Sequence, residues 1–504
     1  MKHQNRTNRL LRVLFSLLAL ALIAAACSSD DGAAAPGTDT EAATEAEDTI
    51  EAEDTTDADS TEEEPADTGS SDDGRTDIRW FVGLGTGTDA PQIERQEIVV
   101  EEFNASQDSI NLILEIVDFE SAQSVLATQI AAGNPPDIIG PVGLQGSNAF
   151  AGQYADIEPL IETAGFDLTP FAGSEEAYRT SAGVLEGVPF ATFPNALFYN
   201  RALFDEAGLP FPPSEYEEDG TSVYGVGTEF EGEWTWDKLQ EIAEILSVDA
   251  NGNDASSADY DLQNIEQFGF VHQWSSNPAG LGTSFGAGSL ESADGTAKVP
   301  DTWRESWEWY HNLVHNVGAA PNGDQLLSEL LAADNAFASG NVAMASGFLW
   351  YTCCLIDLPA QEQWDLGALP THNGVLTAKL HGDTFRIHAD SPNQQEAFTV
   401  LEYFFDEAAL QLLEVYGGLP ARPDLQAAFF EGQEVNYPQG VNWAIMQAGL
   451  SYPDSPNHEA NMPNFLEANA RVTELEAIYL NDPDLDIDAL IASLEADLNV
   501  IWGQ

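Results

Sequence analysis

Basic residues are scarce in this sequence of 504 residues: 16 lysines and arginines stand against 85 aspartates and glutamates, giving a formal net charge of -69. Such a chain repels phosphate, which excludes binding to nucleic acid. The same shortage disfavours an anionic small ligand unless Arg386 or Arg422 reaches it. We interpret the acidic excess as a solubility device of the kind that suits a saline environment.

Signatures of catalysis are scarce as well. The sequence contains no H-E-x-x-H motif, and its eight histidines are scattered singly. Gly83, Gly85 and Gly87 do not have the G-x-G-x-x-G spacing of a dinucleotide-binding loop, so no cofactor is predicted. Among 85 carboxylates, a pair that could flank a glycosidic bond means nothing without geometry. No catalytic residue is predicted, and a secreted glycoside-processing enzyme is the alternative to a binding protein.

The apolar run near the N-terminus is too short for a comfortable membrane span. Basic residues precede the segment VLFSLLALALIAAAC, an order typical of a secretory signal. The end of this segment resembles the lipobox of bacterial lipoproteins, which implies lipidation of Cys27; ordinary cleavage that leaves a free thiol is the alternative. We expect residues 1–27 to be a signal peptide with lipobox, and the protein to be lipid-anchored on the extracytoplasmic face of the cell membrane.

The next segment, residues 28–75, consists of Ser, Thr, Ala, Gly, Asp and Glu with almost no large apolar residue. It cannot bury a core of its own. A flexible chain of this length reaches roughly 40 Å, and repulsion between carboxylates lengthens it. We interpret it as a disordered acidic tether.

From Thr76 onward, strands alternate with helices. Residues 78–82 are an apolar strand run, a glycine-rich loop follows, and INLILEIVDF and AQSVLATQIAAGNPPDIIG continue with strand, helix and strand. This order predicts an α/β fold with a mostly parallel sheet. Ligands of such sheets lie beyond the carboxyl ends of the strands, so the loop of residues 83–89 is a candidate wall of the site.

Five segments occur in an order that carries a resemblance. They are AAGNPPDII, GVPFATFPNALFYNRALFDEAGLPFPP, EWTWDKLQEIAEIL, AFASGNVAMASGFLW and GGLPARPDL. Together they resemble extracellular solute-binding proteins of bacterial ABC importers, in the family that includes maltose- and other sugar-binding proteins. Locally, Gly208 is expected to close the helix RALFDEA, and Thr235 to cap the helix WDKLQEIAEIL.

The resemblance implies a two-lobe periplasmic-binding-protein-like (type II) fold with hinge crossovers. Lobe one would comprise residues 76–190 and about 376–424, and lobe two about 191–375 and 425–504. It implies a receptor without enzymatic activity that captures a carbohydrate, an oligosaccharide being favoured, by hinge closure. ABC transporter permease subunits are the implied partners, and a monomer is expected. A polyamine, peptide or glycerol-phosphate-type ligand is the alternative within this fold.

Candidate ligand contacts lie where aromatic rings stand among polar side chains, because sugars offer apolar faces and hydroxyls. The segment VHQWSSNPAGLGTSFGAG is the strongest candidate, with Trp274 as a stacking ring or, alternatively, a core residue. The other predicted ligand contacts are Trp80, Thr86, Asp89, Thr192, Phe193, Asn195, Gln273, Ser275, Asn277, Phe348, Trp350, Tyr351, His381, Asp383, Asn461 and Asn464. By contrast, Trp303, Trp307 and Tyr310 recur at helical spacing, which predicts core packing.

Two further patterns have competing interpretations. Cys353 and Cys354 are adjacent and could form a vicinal disulfide or pack as two small apolar residues. The segment DANGND, residues 249–254, has the alternating oxygen ligands of a calcium loop. It lacks the Gly and Glu of an EF-hand, so we interpret it as a surface turn and predict no metal.

Overall fold

The computed structural model describes residues 74–171, 178–180, 183–332, 334–355, 363–458 and 462–503. The predicted signal peptide, Cys27, Asn461 and nearly all of the predicted tether lie outside these ranges. No helix in the described ranges is long and apolar enough to span a membrane.

The strands are β1 Thr76–Val82, β2 Ile110–Ile116, β3 Ile138–Val142, β4 Val188–Asn200, β5 Val223–Tyr224, β6 Gly232–Glu233, β7 Val248–Asp249, β8 Ile265–His272, β9 Val342–Phe348, β10 Trp364–Gly367, β11 Leu380–Ile387 and β12 Leu419–Pro420. The helices are α1 Ala90–Ser106, α2 Phe119–Ala131, α3 Leu144–Ala149, α4 Glu158–Ala164, α5 Arg201–Ala207, α6 Trp236–Leu246, α7 Pro278–Thr283, α8 Asp301–Asn312, α9 Gly323–Leu326, α10 Gln394–Phe405, α11 Ala409–Tyr416, α12 Pro423–Asn436, α13 Ala444–Gly449, α14 Phe465–Asn481 and α15 Ile487–Ile501. Short 3-10 turns occupy Thr169–Phe171, Glu329–Leu331, Phe337–Ser339 and Leu349–Leu355, and a π-helical turn, Leu313–Val317, extends α8.

The main sheet is mixed, in the order β2-β1-β3-β11-β4-β9-β8-β7, with β10 and β12 also paired to β4. The predicted parallel arrangement is confirmed for β1 with β2 and β3, and holds again for β8 with β9. It is wrong for the centre of the sheet, where β11 and β4 run antiparallel to their neighbours. The chain passes through β4 and through β11 in the direction opposite to the strands beside each of them. The alternation of strands and helices in the sequence does not reveal this reversal.

Strand β4 joins the two halves of this sheet. Its first half pairs with β11 and β12, and its second half pairs with β9 and β10. All of its thirteen residues except Thr192 are buried. This explains the continuous apolar run at this point of the sequence, since a strand with both faces covered needs no polar alternation.

The β1–β3 part of the sheet is covered on both faces. Ile78, Trp80 and Val82 pack into the main core, while Phe81 packs under α2 into a smaller one. This alternation follows the two-residue period of a strand.

Two predicted helix ends are confirmed. Gly208 closes α5 in the left-handed conformation, with φ +71°. The Thr235 side chain accepts a hydrogen bond from the backbone N–H of Lys238 at the start of α6. Local turn chemistry was therefore readable from the sequence.

The predicted core of α8 is confirmed as well. Trp303, Trp307 and Tyr310 are all buried. The indoles of the two tryptophans donate to the backbone carbonyls of Gly286 and Pro278. Helical spacing therefore identified one face of this helix correctly.

The DANGND segment forms a turn held by Asp249. One carboxylate oxygen of Asp249 accepts the backbone N–H groups of Asn251 and Asn253, and the other accepts that of Asp261. These donors occupy the oxygens that a cation would need. Among the described residues, no group of three or more His, Cys, Asp or Glu is placed to hold a metal ion.

Candidate ligand-binding site

A cavity of about 130 Å³ lies at the carboxyl ends of β8 and β9, which run parallel and therefore end at the same edge of the sheet. Its walls come from α3, the segment after β8 and the start of α7, the end of β9, the start of β11, and the segment before α14 together with the first turns of α14. The lining residues are Gln145, Trp274, Ser275, Asn277, Ala279, Gly280, Phe348, His381, His458, Met462, Phe465 and Asn469.

Five of the predicted ligand contacts line this cavity: Trp274, Ser275, Asn277, Phe348 and His381. Local hydrogen bonds fix the polar members of this set. The Ser275 hydroxyl donates to the backbone carbonyl of Ser346 in β9, and the Asn277 side chain accepts the N–H of Ala279 as the N-cap of α7. These bonds hold the segment after β8 against the neighbouring strand.

Five rings form a row beside the cavity, which we call the aromatic platform: Trp274, Trp350, Phe348, His381 and His458. Consecutive ring planes differ by 10°, 19°, 16° and 24°. Trp274 at one end is 42% exposed. Phe348 and His381 stack most closely, with centroids 3.7 Å apart. The platform thus presents both apolar ring surface and imidazole edges to the cavity.

The exposed end of the platform is held in an unusual backbone conformation. Trp274 and Asp334 both have positive φ, +46° and +85°, which is strained for residues with side chains. The Trp274 indole donates to the Asp334 carboxylate at 3.0 Å. Gln273, a predicted ligand contact, instead donates to the backbone carbonyl of Asp334 and accepts the N–H of Phe337. Gln273 therefore supports the platform from behind.

The other end of the platform carries a chain of hydrogen bonds. His458 Nδ1 lies 2.6 Å from Asp454 Oδ2, the two Nε2 atoms of His458 and His381 are 3.2 Å apart, and the Trp350 indole nitrogen is 3.4 Å from His381 Nδ1. Burial, the neighbouring His458 and Lys379 lower the pKa of His381 well below its ordinary value. The His381 imidazole is therefore neutral near pH 7.

Lys379 lies beneath the platform. It is 1% exposed, and its ammonium group lies 5.5 Å from the Phe348 ring centroid and 3.5 Å from the carbonyl oxygen of Ser275. Burial lowers the pKa of Lys379 to about 7, although the Asp454 carboxylate acts in the opposite direction.

Trp80 is placed elsewhere, and its predicted ligand contact is not supported. It has no exposed surface, and its indole donates to the carbonyl of Gly140 in β3. Its ring packs against Phe404 at a tilt of 49° and against the edge of Phe385. Trp80 is a core residue because both faces of β1 are covered.

The loop after β1 also lies outside the cavity lining. The Thr86 hydroxyl donates to the buried Asp383 carboxylate at 3.4 Å, so these two predicted contacts are brought together with each other. Asp89 is exposed and stands at the N-cap of α1. The loop lies against Asp383 of β11 and against Gly146 of α3.

The predicted contacts in β4 lie behind the cavity. The Thr192 hydroxyl donates to the carbonyl of Leu419, and Phe193 is buried. The Asn195 side-chain oxygen accepts the hydroxyl of Ser346, whose own carbonyl receives Ser275. Asn195 therefore reaches the cavity only through two intervening residues.

Tyr351 and Asn464 are also directed away from the cavity. Tyr351 is buried, and its hydroxyl donates to Asn335. Asn464 precedes α14 and donates to the carbonyl of Ile501. Cys354 is half-buried, and the side chain of Cys353 lies outside the described part, so the vicinal disulfide remains a prediction.

Several residues of the site were not predicted. His458 and Asp454 lie in the segment DSPNHEANMPNF, close to the predicted Asn461 and Asn464, and their i,i+4 spacing is a signal that could have been weighed. Gln145 carries no signal in the sequence.

Curated proteins with similar sequences are binding proteins. One from Brucella abortus (strain 2308) is 29% identical over 160 residues, which are 30% of this chain and 37% of that protein. One from Brucella suis biovar 1 (strain 1330) gives the same values. The chain thus matches little more than a third of the length of these relatives.

Solved structures cover nearly the whole described part. The ABC substrate-binding protein of Listeria monocytogenes in complex with cycloalternan has a TM-score of 0.62 at 19% identity, covering 85% of this chain and 99% of that chain. Maltose-bound MalE3 of T. maritima has a TM-score of 0.63 at 17% identity, covering 84% of this chain and 99% of that chain. A solute-binding protein of Thermotoga lettingae TMO bound with α-D-tagatose has a TM-score of 0.61 at 19% identity, covering 85% of this chain and 100% of that chain. These likenesses establish the periplasmic-binding-protein-like fold.

The family follows from the sequence itself. Residues 99–439, more than half of the chain, match the family profile described as bacterial extracellular solute-binding protein. The chain therefore belongs to the family of bacterial extracellular solute-binding proteins.

Proposed function

We propose that this protein captures a neutral carbohydrate, an oligosaccharide being favoured, and delivers it to the permease subunits of an ABC importer. The observation that carries the proposal is the aromatic platform beside the cavity, with the polar side chains of Ser275 and Asn277 next to it. Aromatic surface with a few placed polar groups is the usual lining of a small-molecule site. The similar folds that hold cycloalternan, maltose and tagatose support a sugar here as well.

Charge favours a neutral ligand. Among the described residues that line the cavity there is no Lys, Arg, Asp or Glu. A polyamine would need carboxylates, and a glycerol-phosphate-type ligand would need an accessible cation. Arg386 and Arg422 do not supply that cation, because Arg386 pairs with Glu186 and Arg422 with Asp406 and Asp424.

Capture would proceed by closure of two lobes with the predicted boundaries. Gln145 would belong to lobe one, and Trp274 and Phe348 to lobe two, while His381 lies at the crossover, where β11 pairs with β4. A ligand that contacts both sets stabilises the closed form, which the permease would then recognise. No bond is made or broken in this cycle.

One sequence pattern favours the alternative, a glycoside-processing or other hydrolytic enzyme. Residues 282–286 read Gly-Thr-Ser-Phe-Gly, which has the G-x-S-x-G spacing of a hydrolase nucleophile. Ser284 is buried, its hydroxyl donates to the carbonyl of Gly280 at 3.4 Å, and its own carbonyl receives the Trp236 indole. A nucleophile must be reachable by substrate and stand beside a base, so this packing supports a receptor.

The lipid anchor at Cys27 belongs to the same proposal, as does a location on the extracytoplasmic face of the cell membrane. Changing Cys27 to Ser should move the protein from the membrane fraction to the soluble fraction after cell disruption. Retention of Cys27→Ser in the membrane pellet would contradict the anchor without touching the receptor function.

The receptor function is tested by thermal shift of the purified protein with mono- and oligosaccharides, polyols, polyamines and peptides, followed by mass spectrometry of each compound. A ligand that binds only the folded state raises the melting temperature with its concentration. A sugar that raises it and is recovered intact supports the proposal. A sugar recovered in cleaved form would favour the enzyme, and a shift by polyamine alone would change the ligand class.

A further inference from the structure

We infer that Asp454 is a positioning residue for the sugar platform, and that it holds Trp350 in place through His458 and His381. The inference rests on the proposed carbohydrate function, because a platform matters only when a ligand packs on it. Asp454 does not line the cavity, whereas His458 and His381 do. Its influence on a ligand must therefore pass through the side chains between them.

The Asp454 end of the chain is anchored to the backbone. Its side chain has no exposed surface; Oδ1 accepts the N–H of Leu380 at 2.9 Å, and Oδ2 accepts the backbone N–H of His458 at 2.8 Å. Oδ2 also lies 2.6 Å from His458 Nδ1. A carboxylate only accepts hydrogen bonds, so Nδ1 of His458 carries a proton.

The Trp350 end fixes the other imidazole. An indole N–H can only donate, and it lies 3.4 Å from Nδ1 of His381. Nδ1 of His381 therefore accepts. The proton of the neutral His381 ring is then on Nε2, the atom that faces His458.

The two ends are compatible at the centre. The Nε2 atoms of His381 and His458 are 3.2 Å apart, and the ring centroids are 5.2 Å apart, so the rings meet nitrogen to nitrogen. One proton fits between them, donated by His381.

An added proton breaks this chain. A proton added to His458 Nε2 would point at the N–H of His381, and one added to His381 Nδ1 would point at the indole N–H of Trp350. In either case two donors face each other and the hydrogen bond is lost. Among the described residues, the charged and titratable groups that act on the pair are Asp454 and Lys379, which lies immediately before β11; burial and Lys379 together also lower the pKa of His272 in β8. The platform should therefore be fixed near neutral pH and released in acid.

The direct test is nitrogen-15 NMR of the histidine rings in the whole protein at pH 7.5, without sugar. We expect His458 to be protonated on Nδ1 and His381 on Nε2. Acidification should remove the Trp350–His381 hydrogen bond and move the indole resonance. Nδ1 protonation of His381 at pH 7.5 would overturn the inference even if a sugar binds.

Two variants separate positioning from folding. Asp454→Asn places an amide where the backbone N–H and the Nδ1–H of His458 point, so His458 should change tautomer. Acid should then no longer alter the Trp350 indole resonance. Trp350→Phe keeps a ring in the platform, removes the donor and should leave His381 in mixed tautomers, even if Asp454→Asn fails to fold. Trp309→Phe is the matched control, since that buried indole N–H has no partner among the described residues.

The effect of Asp454→Asn on ligand affinity is measured with a sugar identified by the thermal shift screen. Asp454→Asn should weaken its binding about tenfold at pH 7.5, the scale of one aromatic contact. The pH profile should also flatten, which a merely structural loss would not produce. Unchanged histidine tautomers in both Asp454→Asn and Trp350→Phe would overturn the inference, whereas a failed sugar screen with the expected tautomers would contradict only the ligand class.

Discussion

Lys379 offers the sharpest test of the energetics under the platform. Its pKa of about 7 stands about 3.5 units below the usual 10.5. At about 1.36 kcal/mol per unit, burial disfavours the charged form by roughly 5 kcal/mol relative to water. Met has a similar length and no charge, so Lys379→Met should raise the free energy of unfolding at pH 7 by about 2–5 kcal/mol.

The sign of the pH dependence is fixed by the same shift. Between pH 7 and 10.5 the unfolded chain holds a proton that the folded protein has lost, so stability rises with pH across this window. Lys379→Met removes this dependence. The stability difference between variant and wild type should therefore be largest at or below pH 7 and should shrink towards pH 10.5.

Urea unfolding followed by circular dichroism at several pH values measures both effects. Lys298→Met is the matched control, because Lys298 is exposed and its loss should change stability little at any pH. All other titrating groups are present in both proteins, so their contributions cancel in the stability difference between Lys379→Met and wild type. A Lys379→Met protein less stable than wild type at pH 7, or a difference that does not vary with pH, would refute the reasoning.

Four further substitutions have distinct expected outcomes. Trp274→Ala should weaken ligand binding about tenfold or more with little loss of melting temperature, whereas buried Trp303→Ala should cost about 3–5 kcal/mol of stability; isothermal titration and melting separate the two. Thr235→Ala removes an N-cap and should cost about 1 kcal/mol in urea unfolding, and an unchanged midpoint would contradict the cap. Gly269→Ala would place a methyl group 2.1 Å from the carbonyl oxygen of Ala243, so it should cost about 1–3 kcal/mol or more; full wild-type stability would show that α6 and β8 can separate.

The sequence predicted best what depends on neighbours along the chain. Gly208 and Thr235 act on helix ends a few residues away, and Trp303, Trp307 and Tyr310 follow the period of a single helix. Each of these features is set by local backbone geometry. They were therefore visible without knowledge of the fold.

Burial of a given tryptophan was not visible in this way. Trp80 and Trp274 both stand near polar loops, yet Trp80 is enclosed while Trp274 is 42% exposed. Trp80 lies on a strand that is covered on both faces and donates to Gly140 of β3, whereas Trp274 follows β8 and donates to Asp334. Such partners are distant in sequence, and periodicity within one strand does not specify them.

The hydrogen-bonded chain of the site was missed for the same reason. His381 was predicted as a ligand contact, but its partners come from two other segments, at Trp350 and His458. Single histidines in the sequence carry no sign that two of them meet. Only the pairing of β4 with both β9 and β11 brings these segments to one edge.

Strand β4 also constrains the order in which the molecule can form. Its partners β9, β10, β11 and β12 all follow it in the chain, the last of them at residues 419–420. Contacts between such distant segments require large loops to close, which slows folding. During synthesis, the first two hundred residues therefore cannot complete their sheet until most of the chain has emerged. Until residues 419–420 have been made, β4 therefore lacks at least one of its partners.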